Sequence, residues 1–389
     1  MFWMSFSFLV INFYGYVATL FALSKLLPLP YPKRREEFTS SKADPDFYVL
    51  VPCHNEAKFL AKKIENLLAQ SYLPEKLRVI ICDGGSTDGT RASVENLLGP
   101  RVTFLACAER GKIAQLNEGL RLVPPGALVA VSDADALLIR LESLHLAVDY
   151  LRAPGIGVVG AWGIPDPATA FEPEQAFWDK QNRLRYLESK ACTSSIVTAQ
   201  FYAFRRELIQ AFPDDCVADD VYIAFLAHGS NQRVIYAYDI EAIELRQPRS
   251  HAELYHHKFR KANAYTTELL RQLYRLPVFS KRTKFLFLFK VYQFFYLPWI
   301  MVLFVICSVL YASQQRWGTL LAAYGILFCG TLLASMLVTP PPRKRRGGIG
   351  IKSALQTIYV FSLVNFVLLA NSISFPFWVQ NSRYHKVNQ

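Results

Sequence analysis

No CxxC pair occurs in this chain, and its seven cysteines are scattered. That spacing argues against a disulfide framework and against a cysteine-based zinc site. The cysteines read instead as small core residues in a reducing compartment. The Gly-rich turn "DGGSTDGT" contains neither GxGxxG nor GxxxxGK[ST], which weakens nicotinamide and P-loop readings of it. Internal repeats and low-complexity tracts are lacking too. The histidines at 251, 256 and 257 have no matching fourth ligand, which argues against zinc there.

Charge is scarce in four long stretches: residues 2–29, 285–312, 317–339 and 353–379. Each is long enough to cross a bilayer as a helix, which takes about 20 apolar residues. The first has no basic start and no clear small-residue cleavage site, so it reads as a retained anchor over 1–30. The expected plan is that anchor, a globular domain over 45–270, an interfacial segment over 271–289, and three membrane helices over 290–380. Lys290 would sit where the second span meets the interface, with its amine snorkelling to water.

The net charge of +12 has two readings. Nucleic-acid binding is the weaker one, because the basic clusters flank the apolar spans: "YPKRR" after the first and "PPPRKRRGGIGIK" between the third and fourth. Positive-inside topology then puts the globular domain in the cytoplasm, and the chain is expected as an integral protein of a bacterial inner or plasma membrane.

The middle of the chain alternates short apolar runs with amphipathic segments. "FYVLVP" (47–52), "LRVIIC" (77–82), "VTFLAC" (102–107) and "ALVAVSDAD" (127–135) read as strands. "AKKIENLLAQ", "RASVENLL" and "KIAQLNEGLRLV" read as the helices between them. That alternation predicts an α/β fold with a mainly parallel sheet covered on both faces. Ligands of such sheets bind beyond the carboxyl ends of the strands, where "CHNEA", "DGGSTDGT", "ERGK" and "SDAD" all fall.

The "SDAD" cluster raises a physical question. Asp133 and Asp135 repel each other, so the segment is either a solvated turn or the grip of a cation such as Mg²⁺ or Mn²⁺. In "ADD", Asp219 and Asp220 precede an apolar helical run; one suffices as a cap, and the other could take a proton from an attacking hydroxyl. "ELYHHKFRKANAY" either holds phosphates through Arg260 or rests on a membrane surface.

Taken in order, "VPCHNEA", "DGGSTDGT", "GKIAQLNEGL", "SDAD", "YAFRREL" and "ADD" carry a resemblance. Residues 46–265 resemble the catalytic domain of family 2 glycosyltransferases of the membrane-embedded kind. That kind includes cellulose, chitin and hyaluronan synthases and the ceramide and hopanoid-lipid glycosyltransferases. The resemblance implies a GT-A fold, a nucleotide-diphosphate sugar donor (UDP-sugar expected), Mg²⁺ or Mn²⁺, and inversion at the anomeric carbon. It implies nucleoside contacts for Pro52, Glu56 and Asp83, and places Lys112, Asp219 and His257 in the donor site. Asp133 and Asp135 would serve nucleotide and metal, Asp220 would be the base, and Arg260 would hold the diphosphate.

Two departures bear on the acceptor. Many members carry a second aspartate where this chain has Gly84. The family's Q-x-x-R-W motif appears as "HKFRK", with His257 for glutamine and Lys261 for the tryptophan that helps polymerising members form the acceptor site. A lipid or lipid-linked acceptor is therefore expected ahead of a processive synthase that would need an oligomer or export partner. A catalytically dead nucleotide-sugar scaffold is the remote third reading.

Overall fold

A computed structural model describes residues 1–31, 43–169, 171–337 and 351–379. The chain opens with helices α1 (Phe2–Val10) and α2 (Tyr16–Leu26), joined by a π-helical turn at Ile11–Gly15. The expected anchor is thus helical through Leu26 and widened at one point.

The globular part follows as β1 (Phe47–Cys53), α3 (Leu60–Leu68), β2 (Leu77–Asp83) and β3 (Val102–Ala106). Then come α4 (Lys112–Arg121), β4 (Leu128–Val131), β5 (Ala136–Leu138) and α5 (Ser143–Arg152). The second half holds β6 (Ile156–Pro165), α6 (Glu172–Ala191), β7 (Tyr202–Arg205), α7 (Asp219–Gly229), β8 (Arg233–Glu244) and α8 (His251–Arg271).

The strands form one sheet in the order β3-β2-β1-β4-β7-β6-β8-β5. β1 pairs in parallel with β2 and β4, and β2 with β3. These strands read as unbroken apolar runs because both faces are covered. Val49, Val51, Val79 and Ile81 pack with Ile64 of α3 and Leu146 of α5. Leu50, Ile80 and Val129 pack on the other face with Leu116 of α4 and Ile223 of α7. The alternation follows from the two-residue period of a strand.

Two expectations change here. The sheet is parallel in its first half but mixed in its second, where β7 runs antiparallel to β4 and β6 and β5 antiparallel to β8. Segment 91–98 forms a 3₁₀ stretch, Ala92–Leu97, rather than an α-helix. The Gly99-Pro100 pair stops it before a stable α-helix can build, since the residue before proline avoids the α region.

After α8 come α9 (Lys281–Val291), α10 (Leu297–Ser313), α11 (Trp317–Leu337) and α12 (Ile351–Ser374). α9 and α10 meet through a π-helical turn at Tyr292–Tyr296 and bend by 48°. Pro298, which cannot donate to the preceding turn, supplies the cause. Trp317–Ala334 and Leu355–Ser374 are each long and apolar enough to cross a bilayer, and the bent pair is a third candidate. Phe2, Phe6 and Leu9 of α1 pack against Leu297 and Phe304 of α10. Tyr16 of α2 stacks on Phe289 of α9 at 3.8 Å. The outer faces keep Val305, Val309, Leu321 and Leu333 exposed, as a lipid-facing surface would. Most of both basic clusters that set the expected topology, residues 32–35 and 340–350, lies outside the described residues.

Candidate active site

The parallel strands deliver their carboxyl ends to one edge of the sheet, and the amino ends of α4 and α7 converge there. A cavity of about 1400 Å³ opens at that edge and continues between the C-terminal helices. Pro52, Lys112, Asp133, Asp135, Asp219, Asp220, His257 and Arg260 all line it. The resemblance therefore collects residues more than 200 positions apart in one place.

Glu56 and Asp83 stand differently from what was expected of them. Asp83 is spent on its own turn: its carboxylate accepts from the Gly85 and Ser86 amides at 3.2 and 3.1 Å and from the Ser86 hydroxyl. Glu56 is fully buried behind the cavity wall and accepts from Arg246 Nη2 at 2.7 Å. Neither carboxylate lines the cavity itself. Gly84 explains itself here, because a Cβ would run into the Gln115 amide, which donates to the Cys53 carbonyl at 2.6 Å. A second aspartate has no room beside Gln115.

The structure answers the question posed by Asp133 and Asp135 in a third way. Protein cations surround the pair. Lys112 Nζ lies 3.0 Å from Asp133, and Arg246 Nε lies 3.5 Å from Asp135. Lys63 sits beneath, donating to Ser132 Oγ at 2.6 Å and to the Ala136 carbonyl at 2.7 Å, so it staples both ends of the loop. Burial pulls its amine down to about 7, against the opposing pull of Asp133 and Asp135. Mutual repulsion alone thus does not demand a metal. What fits one is the donor set: two carboxylates on the cavity wall, hard oxygen ligands of the kind Mg²⁺ and Mn²⁺ take.

Asp219 and Asp220 separate into two roles. Asp219 is buried and saturated, accepting from Tyr202 Oη at 2.8 Å and pairing with Lys112 at 3.1 Å. Asp220 is half-buried on the cavity wall and accepts from the Val221 amide at 3.0 Å. Burial, and then the Asp219 charge, push its carboxyl up to about 6, with Lys112 and Lys261 pulling the other way. A carboxylate with that pKa is suited to take a proton near neutral pH.

α8 supplies the opposite wall. Its amino end is capped by Ser250, which accepts from the Glu253 amide. Lys258 pairs with buried Glu174 of α6 at 2.8 Å, fixing the two helices together. His257 is buried, and its imidazole is held well below its ordinary pKa by desolvation and then by Lys261, Lys258 and Arg260. It is therefore neutral and offers hydrogen bonds rather than charge. Lys261 lies 5.5 Å from the Trp178 ring of α6, which Arg185 and Lys258 also flank. With cations around it, that indole is a structural hub and no open stacking platform.

Residues 48–212 match the sequence profile of glycosyl transferase family 2. The chain carries a family 2 glycosyltransferase domain. The succinoglycan biosynthesis protein ExoA of Rhizobium meliloti is 37% identical over 94 residues, covering 24% of this chain and 27% of that protein. The glycosyltransferase AglE of Haloferax volcanii is 24% identical over 226 residues, covering 54% of this chain and 70% of its own length. The chain thus spans about a quarter of the first relative and most of the second. The mannosyltransferase PcManGT of Pyrobaculum calidifontis, solved with GDP-Man and Mn²⁺, superposes with a TM-score of 0.68 at 24% identity. That match covers 97% of this chain and 99% of the other, the C-terminal apolar helices included, and gives the glycosyltransferase domain its GT-A fold.

Arg246, Lys63 and Tyr202 were not among the residues singled out from sequence. Tyr202 lies inside the quoted "YAFRREL" motif, so its signal was present. Arg246 and Lys63 carry no local pattern, and only the folded chain sets them against the carboxylates.

Proposed function

We propose that the chain is an inverting membrane glycosyltransferase that moves a sugar from a nucleoside-diphosphate sugar to a hydroxyl of a lipid or lipid-linked acceptor. One observation carries this reading: a single cavity runs from Asp133, Asp135 and Asp220 to residues of the apolar helices, including Leu297, Val364 and Leu368. An acceptor held in the bilayer reaches the carboxylates without leaving the protein.

In this reading Asp220 takes the proton from the acceptor hydroxyl as its oxygen attacks the anomeric carbon. Asp219, fixed by Tyr202 and Lys112, sets the amino end of α7 so that Asp220 faces the cavity. Arg260 offers its guanidinium to the leaving diphosphate, and neutral His257 beside it donates or accepts one hydrogen bond. Asp133 and Asp135 would hold a divalent cation, which when bound supplies positive charge to the diphosphate oxygens. Lys63 and Arg246 keep those carboxylates in place. The basic clusters orient the domain towards the cytoplasm.

The test incubates the full chain in lipid nanodiscs with UDP- and GDP-sugars plus a membrane lipid extract. Product extracted into organic solvent after one or a few additions supports the reading. A long ladder of sugars retained as a polymer would replace it with a processive synthase, and would remove the significance given to Lys261.

A further inference from the structure

One lobe of the cavity reaches the N-terminal π turn and α12. Asn12 and Asn365 line it. Both are nearly fully buried, at 4% exposure each. Asn12 makes no hydrogen bond through either side-chain atom, and the Asn365 side-chain oxygen is also without a donor. The Asn365 amide nitrogen is held by the Phe361 carbonyl at 2.8 Å, which aims the group. Unpaired carboxamides among apolar helices are costly, more so where no bulk water reaches. Removing them would improve the packing of the free protein, so their presence points to a ligand that completes them.

The chemistry of the lobe narrows that ligand. Lys290 of α9, on the cavity wall, is matched by buried Glu188 at 2.7 Å, and Glu188 also accepts from Tyr16 at 2.7 Å. The Lys290 charge is therefore neutralised within the protein and is not left for a ligand. The cations that suit a phosphate, Arg260 and Lys261, stand on α8 near the transfer site instead. A carboxamide presents a donor pair and an acceptor side by side, the complement of neighbouring hydroxyls. The π turn matters too, since the extra residue rotates Asn12 into the helix interface, as such turns do at functional positions.

Resting on the transferase reading above, we infer that this lobe binds the neutral, hydroxyl-bearing head of the acceptor. The acceptor class is then a lipid that already carries a sugar or polyol, with Asn12 and Asn365 determining specificity. A bare lipid phosphate does not complete these carboxamides.

The experiment uses the full chain in nanodiscs, a panel of radiolabelled UDP- and GDP-sugars, and two acceptor probes: octyl β-glucoside and farnesyl phosphate. Wild type is expected to glycosylate the octyl glucoside. The variant carrying Asn12→Leu and Asn365→Leu is expected to raise the KM for that probe about tenfold, the loss of two or more neutral hydrogen bonds, while the donor KM stays put. Its thermal midpoint is expected to rise, because unpaired amides leave an apolar site; a purely structural role would lower it. If the double variant is poorly recovered, Asn12→Leu alone and ligand-observed NMR of octyl glucoside give the same two readouts. An unchanged acceptor KM, or transfer to farnesyl phosphate only, overturns the inference while leaving the transferase reading intact. Absence of transfer from every donor to either probe or to lipid extract overturns both.

Discussion

Activity should fall away on the acid side at an unusually high pH for a carboxylate. Asp220 is pushed from 3.8 up to about 6 by burial and by Asp219. Only its ionised form can accept a proton. With a pKa of about 6, roughly a tenth is ionised at pH 5, so kcat/KM there should be about tenfold below its plateau. An ordinary carboxylate at 3.8 would still be more than nine-tenths ionised at pH 5, and the plateau would run straight through. The assay is a pH–rate profile of transfer at saturating divalent cation, with activity restored at pH 7 after each exposure to show that the fold survives. Asp220→Asn should cost at least ~10²-fold in kcat and remove the limb. Lys112→Met removes a charge that pulls the Asp220 pKa down, so the limb should move to higher pH. A flat profile down to pH 5 in wild type, or an Asn variant within about threefold of wild type, would refute the assignment of the base.

Arg260→Ala should lower kcat more than it raises the donor KM, because its contact with the diphosphate strengthens as charge develops, and Arg260→Lys should restore only part; equal binding and no kcat loss would remove it from the mechanism. Lys290→Met strands the Glu188 charge in a buried site and should destabilise by about 3–5 kcal/mol, while adding Glu188→Gln should recover most of that; a thermal shift series checks it. Gly84→Ala should drive Gln115 off the Cys53 carbonyl and cost about 1–3 kcal/mol, read as a lowered midpoint; a neutral outcome would show that the turn has slack.

What could be read from the chain alone follows from how local the signals are. β1, β2 and β4 are short apolar runs ending in polar clusters, so both the strands and the sheet edge were visible. Asp133, Asp219, Asp220 and Arg260 sit in compact motifs and landed in one cavity. The second half of the sheet hid itself: β5 has three residues, and the antiparallel seating of β7 is decided by tertiary pairing. The link from Glu56 through Arg246 to Asp135 joins residues 190 positions apart, which no window of sequence reports. Glu56 and Asp83 were visible as carboxylates, but their commitment to Arg246 and to the Ser86 turn was not. The bend between α9 and α10 had a visible cause in Pro298, masked by the uniform apolarity around it.

The central claim, that this cavity cleaves a nucleoside-diphosphate sugar and passes the sugar to a bilayer acceptor, is tested most directly by donor consumption. The measurement is release of nucleoside diphosphate from each of a panel of UDP- and GDP-sugars by the full chain in nanodiscs containing lipid extract, with Mn²⁺, with chelator, and with Asp220→Asn. The account predicts release from at least one donor in step with appearance of a sugar-labelled lipid, abolished by chelator, restored by added cation and lost in the variant. Release that continues in excess chelator would contradict the role given to Asp133 and Asp135. No release from any donor under any condition would contradict the account as a whole.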